Sequence, residues 1–506
     1  MMPAPSLAAL LKAAGLPSAG ARGRVSEVAH DSRAVAKGAL FCAMPSASGK
    51  HADAAAHVAQ AVARGARAVV AGPALLKAAR LPAGVLAVPC ADPRAALALL
   101  AAAWHGHPAR RLALSGITGT NGKTTTSFLL RGLLETAGRR SALIGTVGYW
   151  AGPRFHPAPN TTPSAPELQA LFAEAVREGC RAAVMEVSSH ALDQGRVDSL
   201  AFRAAVFTNL TRDHLDYHGT LRAYGEAKAR LFGLLRRDGT AVVNAQDPWS
   251  RRMAAARPSG ARLLRYHAGG GKAELRALGV RLEMDGSRFD LAFEGRAIHV
   301  RLPLPGRFNV ANALAAAGAA LGQGLGLADV AAGLEKPSLP PGRFEMVRAG
   351  QPFNVVVDYA HTPDALERLI EAAREVTPGR VITVFGCGGD RDTGKRPIMG
   401  RLAARLSDFS VATSDNPRTE SPRAILDQVM AGVPAGRRAR VRRVEDRAEA
   451  IALALGRAKA GDSVLVAGKG HEDYQIVGAK KLPFDDRKQS LAALKRLGWP
   501  ARKRGR

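Results

Sequence analysis

Short apolar runs alternate with longer segments of helical periodicity along most of the chain. In the middle of the sequence the apolar runs fall at residues 112–117, 142–145, 182–187, 204–210 and 241–244. Helical stretches separate most of these runs. This alternation is typical of parallel strands joined by crossover helices, in a sheet covered on both faces.

The same alternation occurs on either side of this central region. Residues 1–108 carry apolar runs at 40–43 and 68–71 around an alanine-rich helix predicted at 54–64, which indicates a small α/β domain. After the central region, 109–341, residues 342–506 predict a Rossmann-like domain. Its strands are predicted at 354–357, 381–385, 409–413 and 463–467.

Within the central region, the pattern changes to short alternating strands from 263 to 304, which predicts an antiparallel annex. The chain has 506 residues, and roughly 150 residues per domain suggests about three domains. We therefore predict an α/β fold: a small N-terminal domain, a central P-loop-type parallel sheet of the ATPase kind with its annex, and a Rossmann-like C-terminal domain.

A glycine-rich turn joins the strand predicted at 112–117 to a helix. It consists of Gly119, Thr120, Asn121, Gly122, Lys123, Thr124 and Thr125. Backbone N–H groups and the positive helix end bind phosphate at such a turn, while the lysine and a threonine hydroxyl suit a terminal phosphate and its magnesium. Ile117 stands where the strict P-loop has its first glycine. We predict a variant nucleotide site; a helix start with incidental glycines is the plain alternative.

Polar side chains stand where two central strands are predicted to end. Glu186 closes one apolar run, where a carboxylate needs a partner, and Asp213 and His214 follow the next. Ligands gather at the carboxyl ends of parallel strands. Taken singly, each is most simply interpreted as a loop residue whose hydrogen bonds are satisfied. Together, Glu186, His214 and Thr124 predict a magnesium site.

Lys228 lies within the apolar stripe of a helix predicted at 221–235. The other members of that stripe are Leu221, Tyr224, Leu231, Phe232 and Leu235. A lysine that faces inward must snorkel, pair with an acid or lose its charge. Snorkelling is the plain reading of this position.

Three polar loops follow strands of the predicted third domain. They are residues 389–392, residues 415–418 and residues 468–472. Loops at one crest of a sheet form a pocket for a small charged ligand. The first turn of this domain lacks G-x-G-x-x-G, so dinucleotide binding is not expected.

The chain is strongly basic, with 72 Lys and Arg against 43 Asp and Glu, a net charge of +29. The basic runs are scattered, aromatic residues make up 5%, and no nucleic-acid-binding signature is present. We expect a solvated basic surface that favours small polyanionic substrates, and no nucleic-acid partner. A basic nucleic-acid-binding NTPase is the alternative from another class, and it predicts salt-dependent polynucleotide binding.

Four cysteines, Cys42, Cys90, Cys180 and Cys387, lie far apart without C-x-x-C spacing. This spacing disfavours zinc and disulfide frameworks and fits a reducing cytoplasm. No apolar run approaches the ~20 residues that a membrane span needs. We expect a cytoplasmic protein without membrane insertion, and a monomer.

The glycine-rich turn resembles the ATP loop of the Mur ligases and of their relative folylpolyglutamate synthase. Glu186 in Met-Glu-Val-Ser-Ser-His and His214 in Asn-Leu-Thr-Arg-Asp-His-Leu-Asp match magnesium ligands of the Mur ligases. The segment around Lys228, Tyr-Gly-Glu-Ala-Lys-Ala-Arg-Leu-Phe, resembles the site where the family carbamylates a lysine with CO2. The resemblance implies that this carbamate helps to hold magnesium.

The same resemblance implies three binding regions. The nucleotide-sugar substrate is expected at His30, Ser32, Asn160, Thr161, Thr162, Ser188, Gln194 and Arg196. ATP is expected at the turn and at Asn309 for adenine, Arg343 for the γ-phosphate and Asp358 for the ribose. The amino-acid substrate is expected at Arg391, Asp415, Asn416, Pro417, Arg418, Gly468 and Glu472. The loop at 45–51 departs from the family, which has an Asp-Gly pair near Lys50 and His51.

The activity implied is ATP-driven amide formation in peptidoglycan synthesis. The sequence DNPR at 415–418 resembles the tetrapeptide of family members that add meso-diaminopimelate to UDP-N-acetylmuramoyl-L-alanyl-D-glutamate. An acyl phosphate is the expected intermediate. The residues expected to act in catalysis are Lys123, Glu186, His214, Lys228 and Arg343. A lysine-adding ligase and folylpolyglutamate synthase are the alternatives. Arg418 argues against the first, and the DNPR motif and the tripeptide Asp31-Ser32-Arg33, which resembles a DSR motif at the uridine nucleotide of the family, argue against the second.

Overall fold

The computed structural model describes residues 5–44 and 51–499. Three α/β units follow one another along the chain, each built on its own parallel or mostly parallel sheet. The predicted α/β class and three-part architecture are therefore confirmed. The domain boundaries at 108 and 341 stay predictions.

The N-terminal unit contains a four-stranded parallel sheet in the order β1-β2-β3-β4. Its elements are α1 Leu7–Ala13, β1 Val28–Ala29, β2 Leu40–Cys42, α2 His51–Ala63, β3 Ala68–Ala71, α3 Pro73–Ala79, β4 Leu86–Pro89 and α4 Pro93–Trp104. All four residues of β3 are buried, as expected for a strand covered on both faces. The carboxylate of Asp92 accepts the N–H groups of Arg94 and Ala95 and so caps α4.

The central unit is organised on one sheet of eleven strands, in the order β15-β14-β13-β12-β11-β10-β5-β9-β6-β7-β8. The strands are β5 Ala113–Thr118, β6 Ser141–Ile144, β7 Tyr149–Ala151, β8 Arg154–His156, β9 Ala182–Glu186, β10 Phe202–Phe207, β11 Leu235–Asn244, β12 Arg262–His267, β13 Leu275–Glu283, β14 Gly286–Phe293 and β15 Arg296–Leu302. The middle of the sheet, from β6 to β13, is parallel. Its buried apolar strands are the runs predicted from sequence.

Helices cover both faces of this sheet and enclose one apolar core on each. They are α5 Lys123–Thr136, α6 Ala165–Arg177, α7 Ser189–Asp193, α8 Leu215–His218, α9 Leu221–Gly233, α10 Ser250–Ala255, α11 Arg307–Gly322 and α12 Leu327–Glu335, with a short 3-10 helix at Pro108–Arg111. Helices α5, α11 and α12 contribute to one core, and α6, α7 and α9 contribute to the other.

Three details of the central unit differ from the sequence prediction. The annex is antiparallel only from β13 onward, because β12 pairs in parallel with β11. Helix α9 ends at Gly233, and Leu235 begins β11. The prediction that Leu221 faces inward is wrong: this first residue of α9 is 39% exposed, because the sheet covers only the later turns of the helix.

The C-terminal unit has six strands in the order β16-β17-β21-β18-β19-β20, all parallel except the β16–β17 pair. The strands are β16 Glu345–Met346, β17 Asn354–Asp358, β18 Val381–Cys387, β19 Phe409–Ser414, β20 Val441–Arg443 and β21 Ser463–Ala467. The helices are α13 Pro363–Val376, α14 Lys395–Leu406, α15 Pro422–Ala431, α16 Arg447–Gly456 and α17 Asp486–Arg496, with a 3-10 helix at Ala435–Arg440. The four strands predicted for this region all lie within observed strands.

A separate two-stranded hairpin, β22 Tyr474–Val477 and β23 Lys480–Pro483, precedes α17. The central and C-terminal units touch directly, since the Asn121 amide donates to the Asp364 carboxylate at 2.6 Å. No helix within residues 5–44 and 51–499 is long and apolar enough to cross a membrane.

Candidate active site

The turn between β5 and α5 is shaped by two glycines with positive φ. Gly119 has φ 151°, and a Cβ there would lie 1.9 Å from the hydroxyl of Thr208. Gly122 has φ 87°, and a Cβ there would lie 2.3 Å from Asn312 Oδ1. Only glycine fits both positions, so the backbone follows its neighbours closely and leaves α5 open at its N-terminus.

Lys123 opens α5 and folds back over the turn. Its Nζ donates to the carbonyls of Gly119 and Thr120 at 2.9 and 2.8 Å. Burial lowers the pKa of Lys123, against the opposing effect of the negative charges of Glu186 and Asp213. No carboxylate of the described chain lies within ion-pair distance of this ammonium group, which leaves its charge available to an anionic ligand.

Glu186 closes β9 and is 1% exposed. Its carboxylate accepts hydrogen bonds from the Thr124 hydroxyl at 3.1 Å, the Thr146 backbone N–H at 2.9 Å and the Thr146 hydroxyl at 3.0 Å. The strand ends thus bring Glu186 and Thr124 together, as the sequence predicts.

His214 lies farther out along the same edge of the sheet. Its backbone is left-handed, with φ 52°, and its ring lies 4.9 Å from that of His190 and 3.4 Å (Nε2 to Oδ2) from the Asp213 carboxylate. It lines one cavity together with Thr124 and Glu186 but makes no hydrogen bond to either among the described residues. Burial lowers the pKa of His214, which favours the neutral ring that can serve as a ligand.

Lys228 is 1% exposed on α9, so snorkelling does not explain its position. Its Nζ donates to the Gly119 carbonyl at 2.9 Å and lies 4.2 Å from the centre of the Tyr224 ring. Burial, with the charge of Lys123, holds the pKa of Lys228 well below its usual value. In the part of the chain that the structure describes, no carboxylate forms an ion pair with this amine.

Arg343 reaches the nucleotide turn from the linker before β16. Its Nη2 donates to the Thr124 hydroxyl at 3.3 Å, and its guanidinium lies 4.6 Å from the centre of the Tyr359 ring. Asp358 shapes this linker by accepting the N–H groups of Phe344 and Ala360 at 2.7 and 2.8 Å. Burial raises the pKa of Asp358, although the nearby charge of Arg343 opposes that rise.

A small cavity opens beside the turn, between α11 and α13. Its lining includes Asn309, Arg343 and Asp358, together with Phe308 and Leu369. The amide of Asn309 donates to the Pro305 carbonyl at 2.9 Å. An apolar wall with polar groups at its rim suits a purine ring and its ribose.

A second cavity, of about 580 Å³, leads from the turn towards the N-terminal unit. Predicted substrate residues that line it are Asn160, Thr161, Thr162, Ser188 and Arg196. The guanidinium of Arg196 donates to Gln194 Oε1 at 2.6 Å and to the Thr162 carbonyl at 2.7 Å, so it links Thr162 of this cavity to a residue of the neighbouring one.

A neighbouring cavity, also of about 580 Å³, continues to the N-terminal unit, and its lining includes His30, Asn160, Gln194 and Arg196. Burial lowers the pKa of His30. Ser32 is not part of this lining, since its hydroxyl donates to Gln60 Oε1 at 2.8 Å. Residues 45–50 of the atypical loop lie outside the described residues.

The third large cavity, of about 660 Å³, lies between the central and C-terminal units. The residues predicted to bind the amino-acid substrate that line this cavity are Arg391, Asp415, Asn416, Arg418, Gly468 and Glu472. Arg418 donates from Nη1 to the Gly389 carbonyl at 2.8 Å, and the Asn416 amide donates to Glu472 Oε2 at 2.9 Å. Pro417 is not in the lining; its carbonyl packs where a Cβ on Gly389 would stand.

Two family models match the chain: the Mur ligase middle domain over residues 117–320, and the Mur ligase glutamate ligase domain over residues 342–470. The chain is 47% identical to UDP-N-acetylmuramoyl-L-alanyl-D-glutamate–2,6-diaminopimelate ligase of Parasynechococcus marenigrum, over 97% of this chain and 99% of that protein. The chain belongs to the Mur ligase family.

Two further similarities extend over nearly the whole chain. The ligase of the same name from Gloeobacter violaceus is 48% identical over 93% of this chain and 94% of its own. A solved structure of UDP-N-acetylmuramoyl-L-alanyl-D-glutamate–2,6-diaminopimelate ligase superposes with a TM-score of 0.70 at 33% identity, covering 98% of this chain and all of that one.

In this Mur ligase, the cavities meet at two residues that sequence reasoning did not single out. Tyr359 and His361 line the small cavity beside the turn, the second cavity and the third cavity alike. Both belong to the segment Asp358-Tyr359-Ala360-His361-Thr362-Pro363, and their place directly after a buried strand is the signal that identifies them. Thr146, the second partner of Glu186, also follows a strand end.

Proposed function

We infer that this chain is an ATP-dependent ligase that joins meso-diaminopimelate to the D-glutamate of UDP-N-acetylmuramoyl-L-alanyl-D-glutamate, a step of peptidoglycan precursor synthesis. Relatives of that name match it over nearly their full length. The structural observation that carries the inference is the meeting of three cavities at Tyr359 and His361. A nucleotide, a long acidic substrate and a small amino acid can therefore react in one place.

The first chemical step is phosphoryl transfer. An oxygen of the D-glutamate side-chain carboxylate attacks the γ-phosphorus of ATP, and the bond from that phosphorus to ADP breaks. Lys123 and Arg343 both lie at the open end of α5, and neither forms an ion pair with a carboxylate of the described chain. Their charges are placed to stabilise the transferring group.

The second step forms the amide. The amine of diaminopimelate attacks the acyl carbon, loses a proton, and phosphate leaves. The third cavity shares Arg391, Tyr359 and His361 with the second cavity, which leads from the turn, so the two reactants can meet in one continuous space. We propose that closure of the two units over the bound substrates keeps water from the acyl phosphate.

We propose that magnesium is held by Thr124, Glu186, His214 and a carbamate on Lys228. The structure fits such an ion: a buried carboxylate already accepts the Thr124 hydroxyl, and the imidazole lines the same cavity. Bound magnesium would neutralise phosphate oxygens. Because Mg²⁺ is six-coordinate and prefers oxygen ligands, Thr124, Glu186 and His214 leave room for a further oxygen donor.

The carbamate on Lys228 would supply that oxygen. The neutral amine adds to the carbon of CO2, forms an N–C bond and releases a proton, which converts a buried amine into an anion. Burial at 1% exposure, with the charge of Lys123, lowers the pKa of this amine and so favours the neutral form that the addition needs, and no carboxylate of the described chain pairs with it.

The amino-acid cavity supports the diacid over lysine. Lysine lacks the distal carboxylate that a planar guanidinium binds through both oxygens. We propose that Arg418 and Asn416 bind the distal carboxylate, and that Glu472 and Gly468 meet the distal amino group. Arg391 would hold the other end, and Asp415 and Pro417 would shape the loop. A lysine-adding ligase would leave the Arg418 guanidinium without a ligand.

The remaining roles follow from the other cavities. We propose that Asn309 meets adenine, Asp358 the ribose, and the turn from Gly119 to Thr125 the phosphates. The cavity-lining residues His30, Asn160, Thr161, Thr162, Ser188, Gln194 and Arg196 would bind the UDP-muramyl substrate. Ser32 lies outside that lining and is proposed for the uridine end from the family resemblance alone. We propose a cytoplasmic location, because ATP and the UDP-linked substrate are cytoplasmic, and we propose that the protein is a monomer.

One incubation tests this function. The purified protein is mixed with ATP, magnesium, UDP-N-acetylmuramoyl-L-alanyl-D-glutamate and either meso-diaminopimelate or L-lysine, and ADP release and product mass are measured. We expect an amide product with meso-diaminopimelate and little with lysine. Polynucleotide binding in a filter assay without ligation would instead favour the nucleic-acid-binding NTPase.

A further inference from the structure

Lys469 follows β21 and Gly468 and is completely buried. Its Nζ lies 2.9 Å from Asn416 Oδ1, 2.8 Å from the Tyr474 carbonyl, and 3.3 Å from a carboxylate oxygen of each of Asp415 and Glu472. It is not among the residues that line the amino-acid cavity. Its ammonium group therefore lies directly behind three residues proposed for that cavity, and does not reach a ligand.

The contacts of Lys469 determine which way the Asn416 side chain is turned. Two donors, Lys469 Nζ and the Ile476 backbone N–H, converge on Asn416 Oδ1 at 2.9 and 3.0 Å. An amide that accepts through oxygen on one side must present its NH2 group to the other. That NH2 group donates to Glu472 Oε2, so one lysine orients both Asn416 and Glu472.

The hairpin β22–β23 holds the adjoining loop from the other side. Gln475 donates to the Asp415 carbonyl at 2.6 Å, Arg418 N–H donates to the Ile476 carbonyl at 3.1 Å, and Gly478 N–H donates to the Arg418 carbonyl at 2.7 Å. Arg418 has φ 52°, a backbone conformation that residues with a Cβ rarely adopt. These backbone bonds fix that conformation and with it the direction of the guanidinium.

The charges around Lys469 also match the proposed ligand. Arg447 is paired with Asp486 through two hydrogen bonds, at 2.8 and 2.7 Å. Lys469 then faces two carboxylates, Asp415 and Glu472, with a single positive charge. One negative charge is left over at the wall of the cavity, where a ligand ammonium group would neutralise it.

We propose that Lys469 is a positioning residue for amino-acid selection, which sets Asn416 and Glu472 for the distal ammonium and carboxylate, with β22–β23 setting Arg418. The inference rests on the proposed function, in which this cavity takes diaminopimelate. According to this proposal, a buried lysine and an exposed hairpin determine part of the specificity of the cavity.

Steady-state kinetics of Lys469→Met, Lys469→Arg and Gln475→Ala test the proposal. We expect Lys469→Met to raise KM for meso-diaminopimelate on the order of tenfold or more, since a hydrogen-bonded buried charge is lost. KM for ATP should change by less than about twofold, and the preference over L-lysine should fall. Lys469→Arg should retain part of the affinity, and Gln475→Ala should show a smaller rise in the same KM.

Arg380→Met is the matched control. Arg380 pairs with Asp462 at 2.7 Å at the opposite end of the same sheet, before β18 and β21. Its loss should lower the melting temperature and leave the amino-acid KM unchanged. If Lys469→Met folds and keeps the wild-type KM and preference, or raises the KM values for meso-diaminopimelate and ATP equally, the proposal is overturned. If that variant does not fold, a Gln475→Ala variant with wild-type KM and preference overturns it.

The wild type in the same assay separates the two ideas. A wild type that forms no product, or that uses lysine and meso-diaminopimelate equally, contradicts the proposed function. A wild type with the expected preference and unaffected variants contradicts only the role of Lys469 and the hairpin.

Discussion

The central and C-terminal units each bury one lysine beside the reaction site, and the two lysines have opposite surroundings. Lys469 faces two carboxylates at 3.3 Å. Lys228 donates to one backbone carbonyl, and no carboxylate of the described chain pairs with it. A buried lysine that is paired with carboxylates has a structural role. A buried lysine without such partners is stable only as a neutral amine or after chemical modification.

The arginines show the same difference. Arg447 is bound at both ends of its guanidinium group by Asp486, and Arg396 by Glu420. Arg343, beside the nucleotide turn, contacts a threonine hydroxyl and a tyrosine ring. Lys469, Arg396 and Arg447 thus have counter-charges built into the fold, whereas Lys123, Lys228 and Arg343, around the nucleotide turn, have no ion-pair partner among the described residues. The comparison teaches that pairing, more than burial, separates the residues that hold the site from those that act on phosphate.

Removal of Lys228 is the strongest test of this comparison. Lys228→Ala should lower turnover on the order of 10³-fold or more, because a buried metal-binding anion would be lost while the fold remains. Acetate or formate should restore part of the activity by supplying a carboxylate in the cavity. Turnover is measured with and without these anions, with Lys228→Met as a variant of similar volume. Wild-type turnover in Lys228→Ala would contradict the carbamate.

Removal of Lys123 should have the next largest effect. Lys123→Ala should cost about 3–4 kcal/mol of barrier to phosphoryl transfer, since no other residue of the turn carries a positive charge. Acyl-phosphate formation in a single turnover is the measurement. Arg131→Ala, about two turns farther along the same helix and paired with Glu135, is the control and should keep its rate. An unchanged rate in Lys123→Ala would mean that the turn is not the nucleotide site.

Sequence reasoning predicted the parallel strands well because their apolar runs are short, continuous and fully buried. It missed the β7–β8 hairpin, whose Phe155 is 53% exposed, so no apolar alternation marks it. It placed the start of β11 too late, because Arg236 and Arg237 at its beginning are exposed. Exposed strands are set by pairing with a neighbour, and pairing is not visible in local periodicity.

The candidate site shows a similar limit. The position of Glu186 at a strand end was enough to predict its meeting with Thr124, 62 residues earlier. The contact of Lys469 with Asn416 joins two loops through side-chain geometry, and nothing in either loop alone indicates it. The positions of the strand ends therefore predict which loops meet. The hydrogen-bond partners within those loops depend on distances that only the folded chain provides.

Arg418 tests the amino-acid unit, and a smaller effect is expected there. Arg418→Ala should raise KM for meso-diaminopimelate roughly 10- to 100-fold, because a charge-assisted contact to the distal carboxylate is lost. KM for ATP should change little. Arg423→Ala, an exposed arginine near the same loop, is the matched control. If the variant kept the wild-type KM for the diacid, the carboxylate would be bound elsewhere.

His361 provides the mildest test of a buried group without a counter-charge. Burial, with the charge of Lys395, lowers the pKa of His361 to about 4, whereas a histidine in the unfolded chain titrates near pH 6.5. Between these values the unfolded state binds more protons, so stability is full above about pH 6.5 and falls as the pH drops towards 4. Between pH 7 and pH 5 the free energy of unfolding should fall less in His361→Gln than in the wild type, by on the order of 1 kcal/mol. Urea unfolding at several pH values measures this, with His299→Gln, an exposed histidine, as control. If the free energy of unfolding of His361→Gln fell with decreasing pH as steeply as that of the wild type, His361 would not be held neutral by its surroundings.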